Sequence, residues 1–204
     1  MAVVVVGGQT RNIGKTSVVA GLIARLPELR WSAFKITQYG HGFCTADGKP
    51  CQCQTNDACL AVSLEHDPAS GTDTSRFLAA GAERSIWVRT RIGALSDAMP
   101  RVSQELARSE NAILESNSVL EFLQPDLYLT VLDPAVADFK QSAQRFLGRA
   151  DAVLLAPQFA GRPDWGLNRA PLSDKPCFPI APPLYVSDDL AEFVRARLTR
   201  PAAV

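Results

Sequence analysis

The sequence predicts an α/β protein with three layers, α/β/α, around a mostly parallel sheet of about six to seven strands. Three observations carry this. Short apolar runs alternate with helical patterns along the 204 residues, as in strands joined by crossover helices. The first run, Ala2–Val6, holds four consecutive valines, as a strand covered on both faces does, and it passes through a glycine pair into a helix. The composition, 47% hydrophobic and 21% charged, can supply one sizeable core. With no repeat and no linker, residues 1–204 are expected to form one domain.

Each element follows from its own pattern. Strand one is Ala2–Val6. A helix is expected over about Lys15–Leu26, where Val18, Val19, Leu22, Ile23 and Leu26 make one stripe and Pro27 stops it. Strand two is about Trp31–Ile36. Residues from about 37 to 72 lack periodicity and are rich in Gly, Cys, Asp and Thr, so a Cys-rich insert is expected there. A short helix over about Asp73–Ala80 precedes strand three, Ser85–Val88. The helix over about Ser96–Arg108 contains Pro100, which either fits its first turn or kinks it. Ala112–Glu115, Leu127–Leu132 and Ala152–Leu155 are strands four to six, with a helix near Ala135–Leu147 between the last two. Seven prolines in 157–183 predict irregular coil. Tyr185 and Val186 are expected as a last short strand, and Asp188–Leu198 as a closing amphipathic helix.

The segment after strand one, Gly7 to Ser17, has the make-up of a phosphate-holding loop. Glycine lets backbone N–H groups approach an anion closely. The helix that follows adds unpaired N–H groups and its positive dipole end. Lys15 would bring a compact charge to β- and γ-phosphates, and the Thr16 hydroxyl would coordinate Mg²⁺. The usual spacing is G-x-x-x-x-G-K-[ST]. Here Gln9 stands where the first glycine belongs and Gly8 lies one residue early, so Gly8-x5-Gly14-Lys15-Thr16 is a longer variant. Gly8, Gln9, Thr10, Arg11, Asn12, Ile13, Gly14, Lys15, Thr16 and Ser17 are the expected phosphate cradle.

Glu115 closes strand four. Ligands of open α/β sheets sit at the carboxyl ends of strands, so this carboxylate either holds Mg²⁺ or simply faces solvent. Lys35, at the end of strand two, either steadies phosphate or an anionic substrate, or is a snorkelling surface lysine. Lys15, Lys35 and Glu115 are the candidate catalytic residues.

Phe34-Lys35-Ile36, the segment Gly71-Thr72-Asp73-Thr74-Ser75-Arg76 followed by Ala80-Gly81-Ala82, and Ile113-Leu114-Glu115 together resemble the MobB family, the P-loop proteins linked to molybdopterin guanine dinucleotide biosynthesis. That family has an Ile-Lys-His segment and then Gly-Lys-Asp-[ST]-x-Arg…Ala-Gly-Ala. The resemblance covers about residues 2–120. It implies a P-loop NTPase fold, ATP or GTP with Mg²⁺, Thr16 and Glu115 as Mg²⁺ ligands, and Asp73 and Arg76 near the nucleotide or a second substrate. Asp73 also suits a helix N-cap. The longer loop is more similar to dethiobiotin synthetase, which closes a ring from a carbamate with ATP and Mg²⁺. Where MobB proteins continue with histidines, this chain has Thr37-Gln38-Tyr39-Gly40-His41.

Four of the five cysteines, Cys44, Cys51, Cys53 and Cys59, fall within 16 residues. His41, Cys44, Cys51 and Cys53 flank a turn-forming Asp47-Gly48-Lys49-Pro50 and could hold Zn²⁺ tetrahedrally, with Cys59 or His66 as a substitute ligand. The alternatives are an Fe–S cluster on the four cysteines, or ordinary thiols with Cys59 opening a helix at Leu60–Val62. Cys177 is read as an ordinary thiol.

Lys plus Arg equals Asp plus Glu at 21 each, which argues against nucleic acid or a membrane surface as a dominant partner. No apolar run approaches the ~20 residues that span a bilayer. The strand-like start carries no positive n-region, so a cytoplasmic protein is expected. The function expected is that of a Mg²⁺-dependent nucleotide-binding NTPase of MobB type. The alternatives are a dethiobiotin-synthetase-like ligase and a non-catalytic nucleotide-binding adaptor for a cofactor-biosynthesis enzyme; a homodimer is expected by family analogy. No Asn-Lys-x-Asp guanine signature is present, and Asn168-Arg169-Ala170-Pro171 marks a place where a base could sit.

Overall fold

A computed structural model describes residues 1–39, 60–157 and 174–199. Its eight strands are β1 (Val3–Gly8), β2 (Trp31–Tyr39), β3 (Leu60–Leu64), β4 (Arg84–Arg91), β5 (Asn111–Glu115), β6 (Leu127–Leu132), β7 (Ala152–Leu155) and β8 (Cys177–Pro179). The helices are α1 (Lys15–Arg25), α2 (Asp73–Ala79), α3 (Leu95–Leu106), α4 (Gln141–Phe146) and α5 (Asp188–Leu198). The sheet runs β3-β4-β2-β5-β1-β6-β7-β8, parallel throughout except for β3, which pairs antiparallel to β4 at the edge.

The layers follow from strand alternation. Val4 and Val6 of β1 face a core with Val18, Val19, Leu22 and Ile23 of α1, Phe77 of α2, and Leu190, Ala191 and Val194 of α5. Val5 points the other way, into a core with Leu95, Ala98, Val102 and Leu106 of α3 and Phe146 of α4. A strand with both faces covered needs apolar residues at every position, which is why β1 is a run of valines. This is the expected α/β/α arrangement: a buried first strand, a glycine loop, then a helix, at the carboxyl edge of a parallel sheet.

Several boundaries differ from expectation. Two strands were not anticipated. β3 lies where a structureless insert was expected, so Leu60–Val62 is strand and not helix. Its Leu-Ala-Val-Ser-Leu is a short edge segment, only half-buried, with little alternation to read. β8 lies inside the proline-rich stretch; Pro179 is tolerated because β8 is an edge strand. Tyr185 and Val186 form no strand. They turn onto α1, where the Val186 side chain comes within contact of Gly21. Pro100 sits in the second turn of α3 and not the first. The expected helix near 135–147 shrinks to α4 and a 3-10 turn at Leu147–Arg149. Carbonyls of residues 136 and 138, which that helix would use, and of residue 133 just before it, accept instead from the Gln9 side chain. Among the described residues, no helix is long and apolar enough to cross a membrane.

Candidate functional site

At the carboxyl edge of the sheet lies a cleft of about 1190 Å³. The loop after β1 forms its floor. Gly7 is dictated by close approach: a Cβ there would meet Asn117 Oδ1 at 2.2 Å and the Tyr128 ring at 2.9 Å. Asn117 holds the next peptide from both sides, its Oδ1 accepting from Gly8 N at 2.9 Å and its Nδ2 donating to Gly8 O at 2.8 Å. Gly14 has φ 99°, a left-handed conformation that side chains rarely adopt, and a Cβ would meet the Tyr185 ring at 2.7 Å. Gly14 is the N-cap of α1 and brings no side chain to it, so the first N–H groups of the helix are left for another acceptor.

Register builds the cluster beside that helix start. Lys35 and Glu115 are Cα partners across the parallel β2–β5 pair, and Glu115 is also the partner of Val6 in β1. Glu115 is 3% exposed. Its Oε2 accepts from Thr16 Oγ1 at 2.8 Å, and its Oε1 binds Lys35 Nζ. Lys35 Nζ also reaches Asp73 Oδ2 at 2.9 Å. The solvent-facing reading of Glu115 and the snorkelling reading of Lys35 are both overturned: each is engaged inside the cleft. Asp73 is not the N-cap of α2. Thr72 is, accepting from Ser75 N at 3.0 Å, which leaves Asp73 to pair with Lys35. Arg76 donates to Ser17 Oγ at 2.9 Å, tying α2 to α1.

Lys15 donates to the Thr10 carbonyl across the loop. Burial is the main cause that pulls its pKa from 10.5 down to about 8; Lys35 and Lys140 push the same way, while Glu115 and Asp73 oppose. An ammonium held at this cost gains from an arriving anion.

Of the expected cradle, Thr10, Arg11, Asn12, Gly14, Lys15, Thr16 and Ser17 line the cleft, with Lys35, Asp73, Arg76 and Glu115. Ile13 does not: it is buried in the α1 core. Gln9 is fully buried and spends its side chain elsewhere. Nε2 donates to the carbonyls of Asp133 (3.1 Å), Val136 (2.8 Å) and Asp138 (3.3 Å), and Oε1 accepts from Asp133 N at 2.7 Å. Its backbone N–H donates to Val131 O at 3.0 Å and its carbonyl accepts from Lys140 N at 2.8 Å. Thr10 Oγ1 donates to Asp138. Loop 133–140 is thereby fastened to the phosphate-type loop, and Lys140 lines the cleft from that side. Burial chiefly lowers the Lys140 pKa, helped by Arg11 and Lys35 and opposed by Asp138.

Lys140, Asn117, Trp87 and Tyr185 were not anticipated. They belong to no local motif; only tertiary contact brings them here. His41, Cys44, Cys51, Cys53 and Cys59, the thiol-rich metal candidates, lie outside the described residues, as do Asn168 to Pro171. His66 is exposed, and among the described residues no group of three or more His, Cys, Asp or Glu could hold a metal.

No protein-family model matches the chain, and no curated protein matches it. Among solved structures it is similar to LpxK from Aquifex aeolicus in complex with ATP, at 19% identity and a TM-score of 0.46. That match covers 88% of this chain and 53% of the other, so the chain spans about half the length of LpxK. HypB from Helicobacter pylori in complex with nickel is similar at 13% identity and a TM-score of 0.47, over 95% of this chain and 86% of that one. MobB from Bacillus subtilis is similar at 13% identity and a TM-score of 0.40, over 97% and 98%.

Proposed function

We propose that the cleft binds a nucleoside triphosphate with Mg²⁺ and that the chain is an NTPase of MobB type, serving molybdenum-cofactor biosynthesis. The observation that carries the nucleotide reading is the Thr16–Glu115 hydrogen bond of 2.8 Å beside an uncapped helix start. The hydroxyl and the carboxylate are hard oxygen donors of the kind Mg²⁺ takes, so Thr16 and Glu115 would hold it. Held by Thr16 and Glu115, the cation would supply neutralisation of phosphate charge. The chain's own part is positioning. Loop amides and the start of α1 receive the phosphates. Lys15 exchanges the Thr10 carbonyl for a phosphate oxygen. Lys35, released in part from Glu115 and still paired with Asp73, faces the group being transferred. The MobB assignment rests on the Lys35 and Thr72–Ala82 segments.

One observation favours a second reading. The cleft extends beyond the phosphate loop to Thr37, Gln38, Trp87 and Ile92, which is room for another substrate. A ligase of dethiobiotin-synthetase type, to which the longer loop is similar, uses such room. A non-catalytic adaptor docking on a cofactor-biosynthesis enzyme, as a homodimer, keeps the nucleotide site and lacks turnover. The test is phosphate release from ATP and from GTP with Mg²⁺, alone and with candidate acceptors, for the wild type and Lys15→Ala. Turnover that needs Lys15 supports the enzyme. Binding without turnover under any condition supports the adaptor, and no binding of either nucleotide removes the proposal. Zinc analysis of the same sample tests the cysteine insert.

A further inference from the structure

Gln9 occupies the position where the usual loop has glycine, and all of its polar groups are used: two on the backbone and two on the side chain. A glycine there could bind none of the three carbonyls of residues 133, 136 and 138. Those bonds shape the loop after β6, and the bond from Lys140 N to Gln9 O sets the start of α4 against the phosphate-type loop itself. The departure from the usual spacing therefore builds a second wall.

That wall presents one cation. Lys15 is bonded to Thr10, and Lys35 to Glu115 and Asp73. Among the described residues, the Lys140 ammonium has no hydrogen-bond or ion-pair partner, although it lines the cleft. Lys15 and Lys35, both at the Thr16–Glu115 end, feel or exert its charge. This end is where a terminal phosphate would lie if the triphosphate occupies the cradle.

We propose that Lys140 contacts the terminal phosphate of a bound nucleoside triphosphate, opposite Lys15, and that Gln9 is the positioning residue that holds it there. The inference rests on the nucleotide reading above. A cation that meets only the last phosphate distinguishes triphosphate from diphosphate, so the wall favours substrate over product.

The test is calorimetric titration with Mg²⁺ and non-hydrolysable triphosphate analogues of ATP and GTP, alongside ADP and GDP. Lys140→Met should weaken the triphosphate analogue by ~10-fold or more and the diphosphate by less than ~3-fold, since a charge-assisted bond is lost from only one of them. Gln9→Ala should lower the same selectivity, and Gln9→Ala combined with Lys140→Met should lower it no further, because the two act through one contact. Lys140→Met lies at the cleft surface and keeps the test valid if Gln9→Ala does not fold. Unchanged selectivity in Lys140→Met, or equal weakening of both ligands, overturns the inference while leaving the nucleotide reading intact. Wild-type protein that binds neither ligand overturns both.

Discussion

The two walls of the cleft are held in different ways. On one side, Lys35 in the middle of β2, Glu115 at the end of β5 and Thr16 at the start of α1 come together, and strand register sets the spacing of Lys35 and Glu115. On the other, residues 133–140 have no regular structure, and the Gln9 carboxamide organises them. A site built on paired strands inherits the stiffness of the ladder. A site hung from one buried side chain is as stiff as those few bonds. The first wall is suited to preorganised charge, and the second to a group that can yield.

The largest expected effect tests the first wall. Lys15→Ala should reduce nucleotide turnover by ~100-fold or more, the scale on which a preorganised charge near the reacting group acts. Its melting temperature should stay level or rise, because the lysine is charged at a cost in the fold. Phosphate release and a thermal melt check both. A comparable loss of stability would mean that Lys15 is structural.

Glu115→Ala comes next. It leaves Lys35 with Asp73 alone and the Thr16 hydroxyl without its acceptor. Because Glu115 is buried, the cost should be about 1–3 kcal/mol, read from urea unfolding. Gln9→Ala should cost a similar amount or less. It also has a local signature: amide exchange should quicken at residues 133–140 and stay unchanged in β2 and β5. Uniform exchange across both walls would erase the distinction between them.

The walls also differ in how much the sequence discloses. β1, the phosphate-type loop and Glu115 are visible because strand, loop and helix lie consecutively, each with a short-range pattern: valines, glycines, a lysine–threonine pair. The pairing of Lys35 with Glu115 could be suspected because both close apolar runs. Their being register partners could not, since strand order is not written locally. Loop 133–140 misled for a physical reason. Ala135 to Leu147 contains good helix formers, but a buried carboxamide from residue 9 outbids the helix for its carbonyls. The same long-range origin hides Asn117, Tyr185 and Lys140. β3 and β8 are edge strands, short and weakly alternating, the kind of strand that pairing defines more than propensity does.

The smallest expected effect concerns pH and has two opposite signs in one range. The Lys15 pKa falls from 10.5 to about 8 on folding. Between those values the unfolded chain holds a proton that the folded chain has released, so this group makes stability rise with pH across the interval. Phosphate binding needs the charged form. As pH climbs through about 8, the free protein loses that form, and affinity falls by ~10-fold per unit at most well above it. Binding near pH 8 should therefore take up protons, seen as a heat that scales with the ionisation enthalpy of the buffer. Lys15→Met should flatten this group's share of the stability rise and abolish the proton uptake, while the remaining walls of the cleft keep their fold. If affinity and stability instead rise together with pH, the buried ammonium is not what meets the phosphate. The first wall would then owe its charge to Lys35, whose carboxylate partners keep it from acting alone.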